Sequence, residues 1–198
     1  MDPRVAFRPC PLVFGALLSY VFPTCEPYDG KDAWCLPPRE RLTLGDIKRA
    51  IAARYFRHPV YAFHTISLQM KPPRANGVWW RPLQGGPNSA LEPEAIQAIC
   101  DEIMAWSPSV FILHCTHGLN RPLLVVAALY LLHHRDQSVD RALFFVRTIR
   151  PPGILRANVV DALRTWRRWE KKRALSKQDN QQVDASENAC RPKNDHQA

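Results

Sequence analysis

The sequence lacks the cysteine and histidine spacings that build metal sites, and it lacks a stretch long enough to span a membrane. None of its six cysteines forms a CxxC pair, so a zinc-binding module is not indicated. Its 198 residues suffice to bury a sizeable core without disulfide cross-links. The apolar stretch at residues 12–22 is too short to cross a bilayer. We therefore expect no metal, no other cofactor and no membrane partner, and a reducing intracellular compartment.

Acidic residues are scarce as well. No aspartate or glutamate occurs between Ser67 and Leu91, and the formal net charge of the chain is +9. Residues 174–198 hold three basic and four acidic side chains, so the positive excess belongs to the first 173 residues. Such a basic body suits a polyanionic partner of one of three classes: nucleic acid, a phosphoinositide or a phosphorylated protein. A merely soluble basic surface has the same composition.

Hydrophobic periodicity predicts one domain over residues 1–173. Residues 1–41 are rich in proline and are predicted to be irregular, with short strands around Val13–Val21. Residues 60–70 alternate in the manner of a strand, and the proline and glycine content of residues 71–89 predicts a loop. A buried strand is predicted at 110–113.

Three-and-four spacing and capping residues predict helices at 43–56, 93–103, 122–134, 138–149 and 157–172. Residues 174–198 are polar without periodicity, which predicts a disordered tail. Strands and helices in this order indicate an α/β fold with a central mixed sheet flanked by helices.

One segment carries clear chemistry. The predicted strand at 110–113 is followed by His114-Cys115, five further residues and then Arg121, where a helix begins. A loop between a buried strand and a helix points backbone N–H groups at an anion, and the helix dipole favours negative charge there. We name residues 115–121 the phosphate loop.

Each residue type in the phosphate loop has a physical role. The positive environment stabilises the thiolate of Cys115, which is predicted to be the nucleophile that attacks phosphorus. Arg121 offers a two-pronged donor for two phosphate oxygens. Gly118 permits close backbone approach. His114 is predicted to support the loop rather than to act as a base. The remaining phosphate-binding positions are Thr116, His117, Leu119 and Asn120.

The segment from His114 to Arg121 resembles the HCTHGxNR loop of the RNA 5′-triphosphatase branch of cysteine-dependent phosphatases. This branch includes the metazoan mRNA-capping enzyme domain and baculovirus phosphatase. Residues 150–154 match its RPPGI segment, and residues 66–71 are similar to the strand before its variable loop. The resemblance implies a cysteine-phosphatase fold and metal-free removal of the γ-phosphate from 5′-triphosphate RNA. It also implies that Arg150 is a second phosphate clamp.

Two departures from the family bear on mechanism. Pro122 stands where the family usually has a serine or threonine that assists the second step, so hydrolysis of the phosphocysteine is expected to be slow. The aspartate with which protein phosphatases protonate the leaving oxygen is missing from residues 67–91, although Asp46 or Glu92 could fold over the site. An acid-less site suits an acidic leaving group such as a diphosphate better than tyrosine, whose pKa is near 10.

Several basic residues could extend the phosphate loop or could simply be solvated. Lys71, Arg74 and Arg81 lie in the predicted overhanging loop. The last helix holds Trp166 and Trp169, which we expect to pack on the core, while its basic residues face water or contact nucleic acid. Those residues are Arg164, Arg167, Arg168, Lys171, Lys172 and Arg173.

We expect RNA 5′ ends as partners of a monomeric protein, in the nucleus rather than the cytoplasm. Three functions follow from the sequence. The first is an RNA 5′-triphosphatase; the second is a dual-specificity protein or phosphoinositide phosphatase, with phosphoproteins as partners. The third, motivated by Pro122, is a pseudophosphatase that binds RNA 5′ ends without turnover.

Overall fold

The computed structural model describes residues 10–14, 17–25, 44–55, 62–71, 73, 77–83, 91–106, 108–115, 120–149 and 156–189. Its strands are β1 (Cys10–Phe14), β2 (Leu17–Cys25), β3 (Phe63–Ser67), β4 (Val78–Trp80) and β5 (Val110–Cys115). Its helices are α1 (Leu44–Tyr55), α2 (Pro93–Ala105), α3 (Arg121–His133), α4 (Val139–Ile149) and α5 (Ala157–Ala189).

The strands form one mixed sheet in the order β1-β2-β5-β3-β4. β1 and β2 are antiparallel, whereas β5 pairs in parallel with β2 and β3, and β3 pairs in parallel with β4. Every residue of β5 is buried, as expected for a central parallel strand covered on both faces. The predicted α/β fold with a mixed sheet and flanking helices is confirmed.

Prolines in the N-terminal strands occupy positions that the sheet tolerates. Pro11 lies on the edge strand β1, and Pro23 lies in β2 beyond Val21, the last residue of β2 that pairs with β1. A missing N–H costs little where a strand has only one neighbour. The strands predicted around Val13–Val21 are confirmed, while the irregular structure predicted for residues 1–41 is wrong at 10–12 and 22–25.

The helix α3 forms the centre of the core. Its residues from Pro122 to Leu129 are all buried, so it is apolar nearly all round, as its sequence predicted. α2, α4 and α5 all contact α3. On α5, Trp166 is fully buried, and its indole N–H donates to the Gln97 side chain of α2 at 3.2 Å. This bond satisfies two polar groups inside the core.

The other predicted elements are confirmed with small changes of boundary. α1 begins at Leu44, and α4 begins after Ser138, whose hydroxyl accepts the backbone N–H of Arg141 at 3.1 Å as an N-cap. β3 is shorter than the predicted strand, and β5 extends to Cys115. Among the described residues, no helix combines the length and apolarity needed to cross a membrane.

Two regions differ from the predictions. The segment 71–89 contains the strand β4, because Val78, Trp79 and Trp80 favour extended backbone and pair with β3. The helix α5 continues to Ala189, although disorder was predicted from residue 174. Residues 174–189 hold no glycine or proline, and extending an existing helix needs no new nucleation. Residues 190–198 lie outside the described residues.

The expectation that the basic residues of α5 face water is wrong for Arg167. Its guanidinium is buried, where it pairs with Glu170 at 2.8 Å and donates to the Arg135 carbonyl. Trp169 is half-buried and lies 5.0 Å below the Arg173 guanidinium. Arg167 therefore serves α5 packing and is removed from the surface that nucleic acid could contact.

Replacing Leu129 by alanine should destabilise the fold strongly, because this α3 side chain is fully buried. We expect the free energy of unfolding to fall by about 2–5 kcal/mol, measured by urea denaturation. Leu175→Ala on the exposed part of α5 is the matched control and should cost less than about 0.5 kcal/mol. Equal losses in the two variants would contradict the central position of α3.

Candidate functional site

The nucleophile predicted from the sequence lies at the carboxyl end of the central strand. Cys115 is the last residue of β5, with Cys25 opposite it in the β2–β5 register. It carries a free thiol and is 5% exposed, so it lies at the floor of any binding site at this edge. Five residues join it to Arg121, the first residue of α3. The strand-then-helix context predicted for the phosphate loop is therefore present.

The start of α3 has an unusual charge pattern. The first turns of α1, α2 and α4 contain Asp46, Glu94 and Asp140, which complement the positive ends of those helices. No acidic residue occurs in the first turn of α3 or of α5. At α3 the first residue is instead the cation Arg121. The amino end of α3 therefore has no acidic side chain of its own to compete with a bound anion.

Asn120 joins the starts of two helices. Its carbonyl accepts the N–H of Leu124 at 2.9 Å, the first-turn hydrogen bond of α3. Its side-chain Oδ1 accepts the backbone N–H of Arg156 at 3.1 Å, just before α5 begins. The predicted site residue Asn120 thus holds the first turn of α3, and its side chain holds the backbone of Arg156 beside that turn.

His114 lies on the face of β5 opposite to Cys115, since successive strand residues alternate. It is 1% exposed, and neither ring nitrogen has a hydrogen-bond partner among the described residues. Burial lowers the pKa of His114 to about 4, so the imidazole is neutral at physiological pH. The ring is therefore buried on the side of the sheet opposite to Cys115, and the supporting role of His114 stays a prediction.

The other predicted site residues have different outcomes. Thr116, His117, Gly118, Leu119 and the second clamp Arg150 lie outside the described residues, as does Arg74. Lys71 is exposed, four residues after the carboxyl end of β3. Arg81 is not available as a phosphate ligand, because both prongs of its guanidinium bind the Glu102 carboxylate at 2.5 and 2.6 Å.

Sequence reasoning missed Arg156, because only the fold brings it beside Asn120.

Two acidic residues were predicted as candidates to protonate the leaving oxygen, Asp46 and Glu92. Asp46 pairs with Arg49 in α1. Glu92 precedes α2, whose carboxyl end leads within a few residues into the amino end of β5. Glu92 therefore lies at the same end of the domain as Cys115.

Other reactive groups in the described residues do not form a second centre. No group of three or more histidine, cysteine, aspartate or glutamate side chains is placed to hold a metal ion in this part of the chain. Cys100 is fully buried on α2, and burial raises the pKa of its thiol well above the usual range. Cys100 is a core residue, as its position on the apolar helix face predicted.

No family model matches the chain. A stretch of 76 residues is 33% identical to the mRNA-capping enzyme of Danio rerio. This stretch covers 38% of the chain and 12% of the capping enzyme, so the comparison concerns a small part of that protein.

Solved structures give a broader likeness. PTPMT1 has a TM-score of 0.55 and 15% identity, covering 79% of this chain and 94% of PTPMT1. A kinase-associated phosphatase with its catalytic-site cysteine replaced by serine has a TM-score of 0.54 and 14% identity, covering 81% and 94%. A leucine-rich repeat and phosphatase domain protein from Entamoeba histolytica has a TM-score of 0.53 and 12% identity, covering 87% and 97%. The chain therefore has the cysteine-phosphatase fold.

The buried neutral His114 should make stability depend on pH. Its pKa is lower in the folded state, so the unfolded chain binds more protons between the ordinary value of 6.5 and about 4. Stability contributed by the neutral imidazole is present above pH 6.5 and is lost as the pH falls towards 4. Urea denaturation across this range should show a loss in wild type that exceeds the loss in His114→Gln by about 3 kcal/mol. Parallel pH profiles for the two proteins would contradict the burial of His114.

Proposed function

We propose that this chain is a cysteine-dependent phosphatase that removes the γ-phosphate from 5′-triphosphate RNA. The observation that carries the proposal is the position of Cys115. Its free thiol ends a buried parallel strand, one short loop before an α3 amino end that has no acidic side chain in its first turn. This arrangement favours a phosphoryl group in front of a thiolate.

The reaction proceeds in two displacements. The Cys115 sulfur attacks the γ-phosphorus, an S–P bond forms, and the bond from phosphorus to the β–γ bridging oxygen breaks with its electron pair on the RNA diphosphate. Arg121 holds two non-bridging oxygens of the transferred group as charge spreads over them. Water then attacks the phosphocysteine, releasing inorganic phosphate and the thiolate. Neither step requires a metal ion.

Three observations support RNA as the substrate. The capping enzyme of Danio rerio is 33% identical over 76 residues. The net charge of +9 favours a polyanion. No aspartate or glutamate lies between Ser67 and Leu91, and a diphosphate leaves readily without a proton donor, whereas an alkoxide or phenoxide does not. A nuclear location and a role at RNA 5′ ends remain predictions within this proposal.

A second candidate is a dual-specificity protein or phosphoinositide phosphatase. The similar solved structures include PTPMT1 and a kinase-associated phosphatase, and one PTPMT1 structure is a complex with PI(5)P. Glu92 gives this candidate a specific basis, since it is exposed and lies at the Cys115 end of the domain. A carboxylic acid there could protonate a poor leaving group.

The first test compares substrates for wild type and Cys115→Ser in the presence of a chelator. The panel contains triphosphate RNA, diphosphate RNA, a nucleoside triphosphate, a phosphopeptide and an inositol phosphate. Wild type should release γ-phosphate fastest from triphosphate RNA, and Cys115→Ser should lower that rate by roughly 10³-fold or more. The proposal fails if wild type releases none or if Cys115→Ser releases as much. Rapid turnover of phosphopeptide or inositol phosphate, with RNA a poor substrate, would favour the second candidate.

The second test concerns Pro122, which is buried in the first turn of α3. A hydroxyl at this position should speed hydrolysis of the phosphocysteine, so Pro122→Thr should raise the steady-state rate by roughly tenfold or more. The initial burst of phosphate transfer to Cys115 should be unchanged. Pro122→Ala is the matched control, because it removes the ring and adds no hydroxyl. An equal gain in both variants would show that the ring, and not the missing hydroxyl, limits turnover. Tight binding of triphosphate RNA without turnover in wild type would support the pseudophosphatase function.

A further inference from the structure

The arginines in the described part of the chain divide into two groups according to their partners. Five of them pair with carboxylates that neutralise their charge. The pairs are Arg49 with Asp46, Arg81 with Glu102, Arg164 with Asp140 and Asp161, Arg167 with Glu170, and Arg173 with Asp101. The positive charge of these five arginines is therefore balanced within the protein.

Arg156 belongs to the second group. Its side chain is exposed, and the guanidinium has no hydrogen-bond or ion-pair partner among the described residues. The first turn of α5, which follows it, contains no acidic residue. No described residue therefore neutralises the charge of Arg156.

Arg156 is held beside the predicted catalytic residues through its backbone. Its N–H donates to Asn120 Oδ1 at 3.1 Å, and Asn120 directly precedes the clamp Arg121. This hydrogen bond joins positions 36 residues apart in the chain. The main chain at 156 is thereby anchored at the start of α3, while the side chain remains free to meet a ligand on the solvent side.

The direction of a bound polyphosphate follows from burial. Cys115 is 5% exposed at the floor of the site, whereas Arg156 is exposed at its edge. A phosphoryl group that reaches the sulfur must therefore extend the rest of its polyphosphate chain outward, past the start of α3. A guanidinium presents a planar fork of donors that matches the oxygens of such a phosphate.

We propose that Arg156 binds the β-phosphate of the substrate, which makes the site selective for polyphosphate ends over phosphate monoesters. This inference rests on the proposed function of the site. When the bond to the γ-phosphorus breaks, negative charge develops on the bridging oxygen of the β-phosphate. A guanidinium at that phosphate stabilises the leaving diphosphate, in the place of the acid missing from residues 67–91.

The experiment removes the charge of Arg156 and keeps its backbone hydrogen bond. In Arg156→Gln, kcat/KM for 5′-triphosphate RNA should fall by about tenfold or more, which corresponds to about 1.4 kcal/mol. The value for p-nitrophenyl phosphate should change by less than about twofold, because this monoester has no second phosphate. Equal losses on both substrates would overturn the inference and indicate that Arg156 only positions Asn120. Unchanged turnover of RNA would overturn it as well.

Arg135→Gln provides the matched control. Arg135 is also exposed, and only its carbonyl, which accepts from Arg167, is used in the described contacts. It follows the far end of α3, about 20 Å from the helix start. Arg135→Gln should change kcat/KM for either substrate by less than about twofold. An RNA-specific loss equal to that of Arg156→Gln would show that general electrostatic attraction, and not contact with the β-phosphate, explains the effect.

A further measurement separates this inference from the proposed function. Tripolyphosphate should inhibit monoester turnover more strongly than inorganic phosphate in wild type, and Arg156→Gln should weaken only the tripolyphosphate inhibition, by about tenfold. If wild type does not hydrolyse RNA but shows this pattern, the proposed substrate is wrong and Arg156 still binds a second phosphate. If tripolyphosphate and phosphate inhibit wild type equally, the inference about Arg156 is wrong whatever the RNA activity.

Discussion

The parallel pairing of β5 with both β2 and β3 is the constraint on which the site depends. This pairing places β5 in the middle of the sheet and buries each of its residues, so the position of Cys115 is set by the most buried part of the molecule. α3 begins at Arg121, shortly after β5 in the sequence, and is buried over most of its length. The two elements that flank the phosphate loop are thus held by the hydrophobic core.

Strand alternation gives neighbouring residues of β5 opposite roles. Cys115 faces the side of the sheet where α2 and α3 pack, and His114 faces the other side beside Ser67 of β3. The imidazole is buried and neutral, whereas the thiol ends the strand at the edge where ligands reach parallel sheets. One dipeptide thereby supplies both a core residue and the predicted nucleophile, and the burial of His114 links the stability of the domain to pH.

Charge is arranged so that little of it competes with a ligand at this edge. Helices α1, α2 and α4 carry an acidic residue in the first turn, and α3 and α5 do not. The hydrogen bond between Asn120 and Arg156 brings these two starts together. Elsewhere, pairs such as Arg81 with Glu102 and Arg173 with Asp101 balance positive charge locally. A cation without a carboxylate partner attracts an anion more strongly than a paired cation. The net charge of +9 therefore acts on a ligand mainly through the unpaired basic side chains.

Residues near one another in the chain determined much of the fold and of the site. The apolar run before Cys115, the helix that starts at Arg121 and the capping Ser138 are local patterns, and the structure contains the strand and helices they predict. The tertiary structure alone decided that Val78–Trp80 pair with β3, that Arg167 is buried with Glu170 and that Arg156 meets Asn120. Helix periodicity and capping depend on side chains within a few residues, so one segment reveals them. The other three features depend on which distant segments the core brings together: the pairing of a strand, the burial of a charge and the contact between two helix starts. A local sequence pattern therefore does not predict them.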